Sequence, residues 1–349
     1  MLQPTIHPWN QELWQHLTLE PERSNHALLM HGGAGLGKRA LSIALSHFVT
    51  TDGYDQSAKL FEAGSHPDIH VVMPESEQAL LSEASDSGLK LFSDYSKRYL
   101  ESHAGKPRQS ITIDQIRKLC SALSTHPHIA KNRIIAIFSV ESMNRNAANA
   151  LLKSLEEPPS NTLFLLVSDD VAVLPKTIRS RCSLVNFSPP DKSSAKVWLE
   201  QQKLIPNEQL DTYLSVSNNH PLLAIKLYKG DYLEKLKAVL TDVNHMWMRR
   251  VGIVEIAKKW FDLEPRLSLD IVQKLAIDLY RFKLSSSPLD LFFPVQRSWV
   301  KSSADKIDTD RLVDLLDEII RSKQLLGTTV DALLVLETLA KRVFELPKN

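Results

Sequence analysis

Residues 26–40 read HALLMHGGAGLGKRA, and three kinds of local structure follow one another within them. HALLMH is a continuous apolar run of the length a buried strand takes, and KRALSIALSHFV (38–49) has helical spacing. Between them, Gly32, Gly37 and Lys38 follow the G-x-x-x-x-G-K pattern of a phosphate-cradling loop, with Gly35 inside it. Such a loop needs glycine because its backbone N–H groups turn inward at φ angles other residues resist. It also needs a helix N-terminus behind it to stabilise an anion. The next position in the pattern is Ser or Thr, whose hydroxyl holds the Mg²⁺ of a bound nucleotide. Here it is Arg39, a permanent cation with no lone pair for a metal. The shape of a nucleotide loop is therefore expected without its metal chemistry. A phosphate contact by Arg39 stays open.

The pattern around the loop extends this reading. IHVVM (69–73), RIIAIFS (133–139), TLFLLVS (162–168) and SLVNF (183–187) are further strand candidates. Helical patterns such as NRNAANALLKSLEE (144–157) lie between them, so parallel β-α-β units covered on both faces are expected. Residues 74–110 are polar and punctuated by Gly, Ser and Pro, and predict a partly helical excursion from the sheet. In ITIDQIRKLCSAL (111–123), Asp114 is placed to cap a helix. Beyond FSPPDK the strand signals fade. In LVDLLDEIIRSKQLL, Leu312, Leu315, Leu316, Ile319 and Ile320 fall on one helical stripe. Three domains are expected: an α/β domain over 1–189, a small helical unit over 190–231, and a helical domain over 232–349.

A chain of 349 residues with a formal net charge of +1 offers no global field for strong nucleic-acid binding. The first residues lack the basic and apolar regions of a secretory signal, and no apolar run is long enough for a membrane helix. Cys120 and Cys182 are the only cysteines, which argues against a disulfide scaffold and against zinc, and suits a cytosolic protein.

Hydrolysis needs an acidic group at the end of a strand beside the loop, to hold the metal and orient water. In RIIAIFSVESMN the strand ends at Phe138 and Ser139; Glu141 lies two residues further on and reads as a solvated surface carboxylate. The metal chemistry is missing at two separate places.

HALLMHGGAGLGK, AGSHPDIH (63–70), NALLKSLEEPP (149–159) and IRSRC (178–182) together resemble the clamp-loader branch of the AAA+ proteins, most strongly over roughly residues 20–190. The resemblance implies a P-loop AAA+ α/β domain, a small helical lid and an all-α collar. It further implies that Arg181, within Ser180-Arg181-Cys182, reaches the nucleotide site of a neighbouring subunit as an arginine finger. Arg179, one step outside the motif, is the weaker candidate. Active relatives carry an arginine where Leu222 stands and a threonine where Ser168 stands. Many relatives hold zinc through cysteines just before AGSHPD; residues 50–68 contain none, so no zinc is expected and His66 and His70 read as ordinary loop and strand residues.

The implied role is that of a subunit which does not hydrolyse ATP and requires no cofactor, with ATP binding left open. Its implied partners are a DnaX-type (gamma/tau) ATPase, the delta subunit, transiently the beta sliding clamp, and primer-template DNA through the complex. The implied setting is the bacterial cytoplasm, at the replisome and within the DNA polymerase III holoenzyme, with no membrane. Two other readings compete: an independent P-loop ATPase with unusual metal binding, and a DNA-binding adaptor outside any loader.

Overall fold

The computed structural model describes residues 5–19, 26–51, 55–84, 86–100, 105–123, 126–326 and 330–347. The five apolar runs form strands β1 (Ala27–His31), β2 (Ile69–Val72), β3 (Arg133–Phe138), β4 (Thr162–Ser168) and β5 (Ser183–Asn186). All pairings are parallel, in the order β2-β3-β4-β1-β5. Ala27 lies opposite Phe164 and His31 opposite Ser168, so β1 and β4 end level with each other. Ligand crevices in open α/β sheets lie outside the carboxyl ends of the strands.

The helices of the first unit are α1 (Gln11–Leu19), α2 (Lys38–Thr50), α3 (Asp55–Glu62), α4 (Glu75–Ser82), α5 (Ser87–Ser96), α6 (Ile113–Ala122), α7 (Arg145–Glu156) and α8 (Lys176–Arg179). Successive strand residues point to opposite faces, and each face is a separate apolar layer. Leu28, Met30, Ile134, Ala136 and Leu165 pack with Leu41 and Leu45 of α2 and Phe92 of α5. Ala27, Leu29, Ile135, Ile137 and Leu166 pack with Ile116 and Leu119 of α6 and Leu151 and Leu155 of α7. Burying each such Leu or Ile side chain contributes about 1.5–3 kcal/mol.

One expectation about this unit needs extending and one needs correcting. The 74–110 stretch is partly helical and leaves the sheet, as expected, but it also packs back on it: α5 sends Phe92 and Tyr95 into the core, and Phe92 stacks on Phe138 at the end of β3. Leu91, Phe92 and Tyr95 are buried although Leu80 is 64% exposed, and a count of polar residues conceals those three. Asp114 does not cap α6. Thr112 does, its hydroxyl accepting from Gln115 N (3.2 Å) while Gln115 Oε1 accepts from Thr112 N (2.9 Å). That reciprocal box satisfies two orphan N–H groups, and Asp114 is left in the first turn.

Asp68, fully buried before β2, accepts from the backbone N–H of His128 (2.6 Å), Ile129 (2.7 Å) and Ala130 (2.8 Å). Burial alone would raise its pKa, but the three N–H bonds outweigh burial and hold it below the ordinary range. A carboxylate with a depressed folded pKa contributes stability above its unfolded value, about 3.9, which is lost as pH falls through the folded pKa. Asp68→Asn is expected to lower stability by about 1–3 kcal/mol at pH 7. In urea unfolding, its gap from wild type should narrow below about pH 4.

Chain contacts divide the protein into two units, Met1–Pro189 and Pro190–Asn349. The second holds α9 (Lys192–Gln202), α10 (Asn207–Val216), α11 (Pro221–Lys229), α12 (Tyr232–Trp247), α13 (Ile253–Leu263), α14 (Pro265–Leu284), α15 (Arg297–Lys306), α16 (Thr309–Leu325) and α17 (Ala332–Phe344). Caps start several of them: Asp191 accepts from Ser194 N (2.9 Å) and Asp331 from Leu333 N (2.8 Å). A single buried apolar cluster runs from Ala195 to Leu346. On α16, Leu312, Leu315 and Ile319 are buried and Leu316 packs beside them, but Ile320 is 54% exposed and does not belong to the buried stripe. No described helix is long and apolar enough to cross a membrane.

Candidate functional site

The glycine loop leaves β1 and enters α2, as strand, loop and helix order required. Its glycines are enforced by contacts as well as by φ. Gly32 has φ +142°, and a Cβ there would stand 2.3 Å from Phe187 O. Gly37 takes the left-handed φ of +85° before α2, where a Cβ would meet His7 Cδ2 at 2.5 Å. Gly35 also has positive φ. His7 belongs to an N-terminal segment lying over the loop: Trp9 Nε1 and Asn10 Nδ2 each donate to Leu36 O at 2.9 Å.

Lys38 is turned onto its own loop. Its buried ammonium donates to Gly32 O and Gly33 O, both at 2.6 Å. It also lies 2.7 Å from Asp169 Oδ1, an ion contact in which Oδ1 accepts no well-aligned hydrogen bond. Burial pushes its pKa down, with Asp169 opposing. These acceptors take up the donors a phosphate would use.

Arg39 is equally engaged. Its Nε donates to Glu77 Oε1 (2.6 Å) and its Nη2 to Ser139 Oγ (3.0 Å). Ser139 Oγ in turn donates to Glu77 Oε2 (2.6 Å). Burial opposes the guanidinium charge, but the nearby carboxylates, Glu77 first, outweigh it and raise the pKa. The residues present do not fit a magnesium ion at the loop: where a hydroxyl would ligate it, a guanidinium stands, paired with a carboxylate.

At the neighbouring strand ends, Ser139 adopts φ 53° and Glu141 turns inward. Glu141 Oε1 accepts from Asp169 N at 3.2 Å, and burial raises its pKa. Glu141 is therefore not the solvated surface carboxylate its position suggested. The buried Ser168, at the end of β4, accepts from Asp170 N (3.2 Å).

Arg181 lies apart from this cluster, in the turn between α8 and β5. Its Nη1 donates to Thr177 O (2.8 Å) and Ser180 Oγ (3.4 Å), and its Nη2 to the Glu156 carboxylate. The side chain remains 31% exposed. Within the single chain it thus makes the local ion pair. Ser180 is exposed, Cys182 is half-buried with its thiol pKa pushed up to about 11 by burial, and Arg179 is half-buried.

Leu222 sits in the first turn of α11 and carries no charge to a phosphate. His66 is buried, its Nε2 bonded to Ser57 Oγ (2.7 Å), and His70 is buried in β2 against the Tyr99 hydroxyl. Among the described residues, no group of three or more His, Cys, Asp and Glu side chains is placed to hold a metal. Sequence reasoning missed Glu77, Asp169, Glu156 and the N-terminal cover. Glu156 lies inside the quoted motif and Asp169 follows β4 directly, so both had a positional signal; Glu77 had none.

A five-stranded parallel sheet in this order, with a glycine loop after β1, is the α/β core of AAA+ proteins. The family model described as "DNA polymerase III, delta subunit" matches residues 9–191, and the chain belongs to that family. DNA polymerase III subunit delta' of Pseudomonas aeruginosa is 27% identical over 98% of both chains. The Escherichia coli subunit of the same name is 27% identical over 64% of this chain and 61% of its own. A gamma subunit-related protein of Thermotoga maritima has a TM-score of 0.43 at 19% identity, covering 95% of this chain and 98% of its own.

Proposed function

We propose that this chain is the delta-prime subunit of a DNA polymerase III clamp loader, a member that hydrolyses no ATP itself and lends Arg181 to a neighbouring ATPase. The observation that carries the reading is a contrast within one unit. Lys38, 2% exposed, gives its ammonium to Gly32 O, Gly33 O and Asp169, and Arg39 pairs with Glu77 where a metal-binding hydroxyl would stand. Arg181, though paired with Glu156, lies on a turn outside the loop and is 31% exposed. A guanidinium set against β/γ-phosphates stabilises the charge spread over the transferred phosphoryl oxygens.

The partners in this reading are a DnaX-type (gamma/tau) ATPase, which receives Arg181, the delta subunit, the beta sliding clamp and primed DNA held by the complex. Residues 190–231 serve as the lid and 232–349 as the collar, and the setting is the cytoplasmic replisome. No bound cofactor and no zinc are needed, and nucleotide is not required at the chain's own loop.

The test is reconstitution with the DnaX-type ATPase and delta subunits, comparing wild type with Arg181→Ala for assembly, DNA-stimulated ATP turnover and clamp loading. Unchanged turnover rejects the finger role. The rival reading, an independent ATPase, has its own check. Arg39→Thr restores the hydroxyl but leaves Lys38 on its loop carbonyls and no acid on β3. The purified variant is expected to remain without ATPase activity, measured as phosphate release with Mg²⁺. Turnover abolished by adding Lys38→Ala would favour the rival.

A further inference from the structure

We propose that Glu156 is the positioning residue for Arg181; the inference rests on the finger role given above and adds the group that aims it. A long side chain on a surface turn samples many rotamers, and fixing it costs up to about 2 kcal/mol of entropy. Arg181 is held before any neighbour arrives. A guanidinium has five N–H donors. Nη1 donates to Thr177 O and Ser180 Oγ, and Nη2 donates to Glu156. Three bonds leave two of the five N–H donors, that of Nε among them, without a partner among the described residues.

The side chain is therefore gripped at one end and offers two donors at the other, the number a bidentate phosphate contact uses. Glu156 takes a single contact through Oε1 and does not span the fork, so the carboxylate restrains the guanidinium without occupying it.

The grip is anchored on both sides. Glu156 is the last residue of α7, whose Leu151 and Leu155 are buried. Leu155 O accepts from His26 Nε2 (2.8 Å), which ties that turn to the start of β1. On the other side, Ile178 of α8 is fully buried, and Arg181 N donates to Ile178 O (3.1 Å). An exposed ion pair adds little to stability. Its effect is on orientation, where a misplacement of about 1 Å can reduce rate 10²-fold.

The experiment uses the full loader reconstituted with the DnaX-type ATPase and delta subunits, measuring with primed DNA the KM for ATP and, by single-turnover kinetics, kcat at the site that Arg181 faces. Five forms of this chain are compared with wild type: Arg181→Ala, Glu156→Ala, Glu156→Lys, Glu156→Gln and the double alanine variant. Glu156→Ala is expected to lower kcat roughly tenfold, with KM within about twofold. Glu156→Lys, which repels the finger, should approach Arg181→Ala. Glu156→Gln keeps an acceptor oxygen and should fall between Glu156→Ala and wild type. Adding Glu156→Ala to Arg181→Ala should produce no further loss.

Wild-type or faster kcat in Glu156→Ala, or a full additional loss in the double variant, overturns the proposal while the finger role stands. Wild-type kcat in Arg181→Ala overturns the finger role and this inference with it. Because Glu156 is exposed, assembly should survive each change. Should the alanine form fail to assemble, wild-type kcat in Glu156→Lys is decisive against the proposal.

Discussion

Arg181→Ala is expected to leave the chain folded and assembled while slowing ATP hydrolysis at the site it faces by about 10³-fold or more. The two halves of that expectation have separate physical grounds. Structurally, the side chain is partly exposed and its ion pair with Glu156 reaches solvent. Removing such a pair changes stability by about 0–1 kcal/mol, so thermal unfolding and elution with partners should match wild type. Catalytically, an arginine supplied in trans acts on charge that develops only in the transition state, where a preorganised cation has its largest effect.

The loss should fall on kcat rather than on assembly or nucleotide affinity. Where a loader carries several ATPase sites, single-turnover measurements will show one slow class among fast ones. Arg181→Lys should recover little. An ammonium is a point charge without the planar fork and cannot reproduce the grip of Thr177, Ser180 and Glu156 together with an outward bidentate contact. Full turnover with lysine would mean that charge alone, not aimed geometry, is what the neighbour needs.

Strands β1 to β4 were legible in the sequence because a strand buried on both faces is a continuous apolar run. β5, at the sheet edge with Leu184 57% exposed, gave a weaker run, and all five runs became strands within a residue or two. The loop was legible because positive φ restricts Gly32, Gly35 and Gly37 to glycine. The role of 74–110 was concealed because Phe92 and Tyr95 are spaced along a helix among polar residues. Capping of α6 was assigned to the wrong residue: Asp114 is a good capping type, but Thr112 has both the extended φ and the Gln three residues on.

At the loop, the substitution at Arg39 showed what was lost and not what replaced it. Its partner Glu77 is 38 residues away and Ser139 is 100, and no local pattern joins residues so distant. Glu141 misled for the opposite reason: an acid in a loop looks solvated unless the chain folds back over it.

Lys38 is where loop shape and loop chemistry separate most clearly, and Lys38→Ala should distinguish them. In a working nucleotide loop the lysine meets phosphate, so its loss abolishes catalysis. Here its ammonium, 2% exposed, bridges Gly32 O, Gly33 O and Asp169, and so neutralises its own loop. Truncation leaves two loop carbonyls facing a void and a carboxylate without its cation. Removing one member of a buried pair costs about 3–5 kcal/mol. Asp169 is 31% exposed, so solvent recovers part of that, leaving about 2–3 kcal/mol. For a unit of this size, that is a fall in melting temperature of roughly 4–12 °C.

Lys38→Met, which keeps the stem and loses the charge, should fall between alanine and wild type. Once assembled below its melting transition, a loader carrying Lys38→Ala should turn over ATP at the wild-type rate, because the ammonium is already taken up by Gly32 O, Gly33 O and Asp169. A stable Lys38→Ala protein whose loader is slow would show the reverse: a lysine that leaves those carbonyls to bind nucleotide.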